Sequence, residues 1–412
     1  VTPSPRAGRT LVLASLLAAA LAATSCAASD APAPASSPSI APNDGVDGGG
    51  AAEVASPALA LVIADHDGGL TLLDLDTEER SSLTDADTDA DADADAPTVS
   101  GTGRFLHVTR QDGTGVSVDI VDSGRWTVPH GDHSHSFLGD AGVLGSVEGA
   151  GPADIHVGDN ATSIRFGTDL TLLDHENLTD LEAAPRITLS AAPAGPVLPF
   201  SGHLLAATGE TIDILDAEGS ATGVAEPCTA PTDADITRVG AVFACDTGAV
   251  LVTREVGGAL AAESIPYPAG SSPASELAGR ADRPDLAGVA GDRGAWLLDV
   301  RAREWMLLAT DSPVLRAAAI GDDDSRTVAV TMDGSVRVIA ADGTELARTE
   351  PLLAASVSDP ALRERVQLIV DAHHAYVSDP ATGAVHEIDH RDGAAVTRTF
   401  DDLDPRYVQL VG

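Results

Sequence analysis

A chain of 412 residues can hold one large or two medium domains. Its 24 basic residues are all arginine and stand against 63 acidic ones, a net charge of -39. So acidic a chain is repelled by nucleic acid and by anionic membrane surfaces, which excludes both as direct partners, and it gathers cations around itself.

The first segment reads as an address and not as fold. Arg6 and Arg9 precede an apolar run at 11–23 that is too short to span a bilayer. Ala23-Thr24-Ser25-Cys26 then resembles a bacterial lipobox. Residues 1–25 are therefore expected to be a lipoprotein signal peptide and Cys26 the lipidated residue; ordinary secretory cleavage nearby is the alternative. Residues 26–57 are rich in Ala, Pro, Ser, Gly and Asp with no apolar period, and are expected to be a flexible tether. The implied setting is the cell surface or periplasm, with the membrane reached only through the lipid anchor.

From residue 58 to 412 the pattern is strand after strand, an all-β domain. Residues 60–75, ALVIADHDGGLTLLDL, show the unit: an apolar run, an Asp/Gly turn, and a second apolar run ending near Asp. Related hairpins fall at 104–122, 163–174, 203–216, 239–253, 286–300, 326–340 and 374–389. Their spacing is near the ~40–50 residues of a propeller blade, each hairpin being the middle of a four-stranded blade. The count favours an eight-bladed β-propeller, with seven blades as the alternative. Alternating aspartates at 85–95 interrupt the first blade; with nothing apolar to bury, they predict a solvated, disordered loop.

The densest chemistry lies at 126–137, WTVPHGDHSHSF, where His130, His133 and His135 fall within six residues beside Asp132. Neutral imidazole is the commonest protein ligand for zinc and copper. In an extended loop bent at Gly131, these side chains can turn toward one ion, though one cluster does not close a tetrahedral site. Placed after a strand at about 125–128, the stretch is expected in the connection between blades. The next inner strand, 153–157, would bring His156. The last blade runs through 366–370 into Asp371, and His373 there could approach across the ring. His66, His107 and His203 read as packed or solvated, His175 follows a hairpin with no partner evident in the sequence, and His386 and His390 read as exposed. Cys228 and Cys245 in an exported chain are expected to form a disulfide; a thiolate metal site is the alternative.

Taken in order over roughly 59–400, these segments resemble the AztD-type zinc metallochaperones. HGDHSH at 130–135 is similar to that family's His-Gly-Asp-His stretch, and GPADIHV at 151–157 to its following strand, with His156 at the histidine. The span from Cys228 to Phe243-Ala244-Cys245-Asp246 resembles its cysteine pair, and HHAYVSDPATGAVHEID at 373–389 its final blade. Where relatives often carry His-Gly after the first cysteine, Thr229-Ala230-Pro231-Thr232-Asp233 stands instead. The resemblance implies a monomeric exported propeller that binds zinc and delivers it to the substrate-binding protein of a zinc ABC importer. The expected metal residues are His130, His133, His135, His156, His373 and Asp132. Two other function classes stand beside this one: a propeller hydrolase or lactonase, with Asp132 or Asp154 as base, and a surface scaffold lipoprotein. No GxSxG, P-loop or HExxH pattern supports an enzyme.

Overall fold

The computed structural model describes residues 48, 50–84, 97–111, 115–130, 133–178 and 181–412. The expected signal peptide with Cys26, most of the tether, the aspartates at 85–95, and Gly131 and Asp132 lie outside the described residues.

Local chemistry makes the hairpins. Ala60–Ala64 is apolar at every position and buried on both faces, as befits a strand covered on each side by another sheet. The turn that follows is tied by Asp65, whose Oδ1 accepts from the backbone N–H of Asp67 at 2.9 Å and of Gly69 at 2.8 Å. Gly68 sits there at φ 77°, where a Cβ would also lie 2.8 Å from Pro97. The same device recurs at Asp216, which accepts from the N–H of Glu218 and Ser220, and at Asp74, which accepts from Asp76 and Thr77. Part of the chain's acidity is thus turn chemistry, carboxylates capping backbone donors.

Among the described residues these hairpins form seven four-stranded and two three-stranded antiparallel sheets. All eight hairpins expected from the sequence are present, and seven are the middle pair of a four-stranded sheet. The exception is Asp285–Val289 with Gly294–Asp299, whose sheet has three strands; an isolated bridge from Ala278 to Ala287 takes the place of its inner strand. The final strand, Tyr407–Val411, pairs with Ala60–Ala64 in register from Ala64↔Tyr407 to Ala60↔Val411, so both ends of the fold share one sheet.

Among the described residues the core consists of eight apolar clusters, and each is a seam between two consecutive sheets. Leu106 and Val108 of the second sheet pack on Val62 and Leu72 of the first. Ile164 of the third packs on Val118 of the second. The series continues to a seam in which Tyr376, Val385 and Phe400 of the last sheet meet Leu61 and Ile63 of the first. The architecture is all-β and propeller-like, and among the described residues these core clusters lie between sheets. Among the described residues, no helix is long and apolar enough to cross a membrane.

Two expectations are corrected here. The tether does not run to residue 57: Ala52–Val54 is a strand. The histidine stretch is not a loop between blades. Arg125–His130 and His133–Leu138 form a hairpin of their own, inserted between Val116–Asp122 and Gly142–Gly149, which are neighbours in one sheet. Alternating side chains suit a strand pair better than the loop that the Gly-Asp centre had suggested.

Cys228 and Cys245 form a disulfide with Cα atoms 5.3 Å apart. It joins the residue after the outer strand Ala221–Pro227 to the strand Ala241–Cys245 of the next sheet, across a buried seam. Its 17-residue separation makes it worth about 2–4 kcal/mol through restriction of the unfolded chain. Urea denaturation of Cys228→Ser should show that loss, and an unchanged midpoint would contradict it.

Candidate metal centre

The inserted hairpin is fixed at its base. Arg125 donates to the carbonyl of Ala58 and to the Asp74 carboxylate, both at 2.9 Å, fastening it to the first sheet. Trp126 and Phe137 are register partners whose rings stack at 5.4 Å, and the Arg104 guanidinium lies 3.5 Å from the Trp126 ring centroid. Along His133–Leu138 the two-residue strand period puts His133, His135 and Phe137 on one face.

That period brings the two imidazoles together. Nε2 of His133 is 3.1 Å from Nε2 of His135. His133 is exposed and His135 is buried. On its other side, Nδ1 of His135 is 2.7 Å from a carboxylate oxygen of Glu53. Glu53 comes from the strand Ala52–Val54, which pairs with the free edge of His133–Leu138 and sets Glu53 opposite Phe137. From there a long side chain reaches the diagonal neighbour on the same face, His135. The carboxylate accepts from Nδ1–H, so Nε2 of a neutral His135 carries the lone pair and faces His133.

The spacing suits a metal edge. Two nitrogens at about 2.0–2.1 Å from a tetrahedral zinc are about 3.3 Å apart. Displacing the single proton between the rings leaves two lone pairs converging on one point. His130 ends its strand with its Cα paired to that of His133, while Asp132 lies outside the described residues. Among the described residues, no group of three or more His, Cys, Asp or Glu is arranged to hold a metal ion.

His156 and His373 have partners elsewhere. His156 lies in Ala153–Val157, the first strand of the third sheet, with Nε2 2.8 Å from the Asp154 carboxylate. Asp154 also binds Arg165. Burial pushes its carboxyl up, but His156 and Arg165 outweigh that and hold it below the usual carboxylate range. Asp233 and Asp235 lie in the first strand of the fifth sheet. Burial and the adjacent Asp233 charge push Asp235 up to about 7. His373 follows Leu368–Val370, and its backbone N–H donates to Asp371 Oδ1 at 2.6 Å. His390 is not exposed as expected but buried, with Nε2 3.3 Å from the Asp371 carbonyl. His107 is packed as read, and half-buried His175, for which the sequence offered no partner, has Nε2 2.9 Å from Thr162 Oγ1. Burial, with the charge of the other ring, lowers His107 to about 4, and burial lowers His175 to about 4, so both stay neutral. Sequence reasoning missed Glu53. It stands 82 residues before His135 in a stretch with no apolar pattern, and only the strand pairing reveals it.

No family model matches the chain, and no curated protein matches its sequence. Solved structures do match it in fold. A crystal structure of AztD from Citrobacter koseri aligns with a TM-score of 0.69 at 17% identity, covering 87% of this chain and 98% of that one. The structure of apo AztD from the same organism aligns with a TM-score of 0.68, also at 17% identity and with the same coverage. The chain therefore has the AztD fold over nearly its whole described length.

Proposed function

We propose that this chain is an extracytoplasmic zinc metallochaperone on an eight-bladed β-propeller. It would carry zinc on the inserted hairpin and hand it to the substrate-binding protein of a zinc ABC importer. One observation carries the reading: the Nε2 atoms of His133 and His135, 3.1 Å apart, with Glu53 holding the far nitrogen of the buried ring. A carboxylate behind a ligating imidazole is the usual support of a zinc-bound histidine. The AztD fold and the order of the segments that resemble that family point the same way. The blade count rests on the eight seams, the last of which joins the end of the chain to its beginning.

In this reading zinc is cargo. Buried His135 is the anchor and exposed His133 the end that an acceptor's ligand displaces first. His130 and Asp132, from the same hairpin, complete the set. His156 and His373 are the remaining candidates, and His156 would have to give up its bond to Asp154. The chain is read as a monomer, anchored by lipid at Cys26, and not as an enzyme. A hydrolytic zinc needs an adjacent free base, whereas Asp154 is already bound by Arg165 and His156. Chelator-competition titration tests the reading. Zinc is expected to bind, with copper run as a control because it favours the same imidazoles. A protein that takes up no zinc overturns it.

A further inference from the structure

We propose that Ala52–Val54 is a detachable clasp, and that Glu53 on it is a positioning residue which decides which nitrogen of His135 is offered to the metal. This inference rests on the zinc reading above. The strand is three residues long and joined to the fold along one edge, through Ala52↔Leu138, Glu53↔Phe137 and Val54↔Ser136. Ala52 and Glu53 are exposed and Val54 is half-buried, so little apolar area holds the strand in place. Its polar anchor is the 2.7 Å bond from His135 Nδ1 to Glu53. Residues 55–59 then lead directly into the first sheet, so the strand can lift without disturbing a seam.

Docked, the clasp makes Nδ1 the proton-bearing nitrogen and turns Nε2 toward His133. Undocked, the proton is free to sit on either nitrogen and the ring is free to turn about its side-chain bonds. The strand thereby acts on the metal through His135 without touching the metal itself. Linkage makes this reciprocal: whatever factor Glu53 adds to zinc affinity, zinc adds to docking of the strand. Lifting of 52–54 is then the step that loosens zinc before an acceptor takes it.

The test uses the full chain, wild type, Glu53→Ala and Glu53→Gln. In metal-free protein, ring-nitrogen NMR should show wild-type His135 protonated at Nδ1, a mixture of tautomers in Glu53→Ala, and the wild-type form largely restored in Glu53→Gln, whose amide oxygen still accepts. Chelator competition should show zinc affinity lowered about 10–100-fold in Glu53→Ala and recovered in part in Glu53→Gln. Zinc should slow amide exchange across 52–54 by the same factor in wild type and by much less in Glu53→Ala. An unchanged His135 tautomer in Glu53→Ala, or exchange at 52–54 indifferent to zinc that does bind, overturns the proposal. If wild type binds no zinc while the tautomer still follows Glu53, the zinc reading fails and the positioning role stands.

Discussion

Replacing His135 with alanine is expected to lower zinc affinity by more than about 100-fold, beyond the 10–100-fold range for loss of a group that merely supports a ligand. The substitution removes the buried member of the proposed ligand pair and the ring that Glu53 contacts at 2.7 Å. His133→Ala should do the same to equilibrium affinity, since it removes the other end of the 3.1 Å nitrogen pair. The two should differ in rate: in the proposed handover exchange begins at exposed His133, so its loss should raise the off-rate most. His66→Ala serves as the control. His66 lies in the first hairpin turn with its side chain 45% exposed, near Asp404 at 3.8 Å, at the opposite end of the Ala60–Asp74 hairpin from Asp74, to which Arg125 binds. Chelator competition on the three variants, with melting curves to verify folding, measures this. Affinity equal to wild type in both hairpin variants would remove the site. A loss in His156→Ala as large as that in His135→Ala would move the centre to the first strand of the third sheet.

Arg337→Ala is expected to destabilise the fold by about 3 kcal/mol, the low end of the range for breaking a buried ion pair. Arg337 is 2% exposed in Val336–Ile339. Its Nη2 donates to Asp333 at 2.6 Å, its Nη1 to Glu345 at 3.0 Å and also to Asp311, and its Nε to Thr331 and Ser335. The low end applies because the carboxylates are themselves partly exposed, Asp311 at 75% and Asp333 at 41%, and can rehydrate when the cation goes. The pH dependence has a definite sign. Burial acts to raise the Asp333 carboxyl, but hydrogen bonds from Ser335 and Thr331 and the Arg337 guanidinium outweigh it and hold it well below the usual carboxylate range. A depressed carboxyl stabilises the fold above its unfolded value of 3.8 and loses that contribution as pH falls through its folded value. The gap between wild type and Arg337→Ala should thus be full at neutral pH and shrink below about pH 4. Urea unfolding at pH 7 and pH 3 checks both parts. A gap under about 1 kcal/mol at pH 7, or one that widens in acid, would contradict the network's role.

Much of the fold was legible because its signal is local. An apolar run such as Ala60–Ala64, an Asp/Gly turn and a second run repeat often enough that all eight hairpins could be placed from residue types alone. The inserted hairpin was misplaced because its strands hold Pro129, Ser134 and histidines where apolar residues usually mark a strand. The inner strand missing from the Asp285–Val289 sheet was invisible for a related reason: the bridge at Ala278 spans a single residue. The pairing of His133 with His135 was half legible. Spacing by two suggested a shared target, but the strand period and not a bend at Gly131 puts both on one face. Glu53 could not be read at all, because its role depends on an edge ladder between segments some 80 residues apart.

Zinc handover tests the carrier reading most directly. The protein is loaded with one equivalent of zinc, mixed with the metal-free substrate-binding protein of a zinc ABC importer, separated, and both are assayed for metal. Wild type should pass its zinc faster than the same amount of zinc leaves it into a chelator of equal affinity, and His133→Ala and His135→Ala should arrive with far less zinc to pass. Zinc that stays with the loaded chain, or moves no faster than free dissociation allows, would contradict a role in delivery.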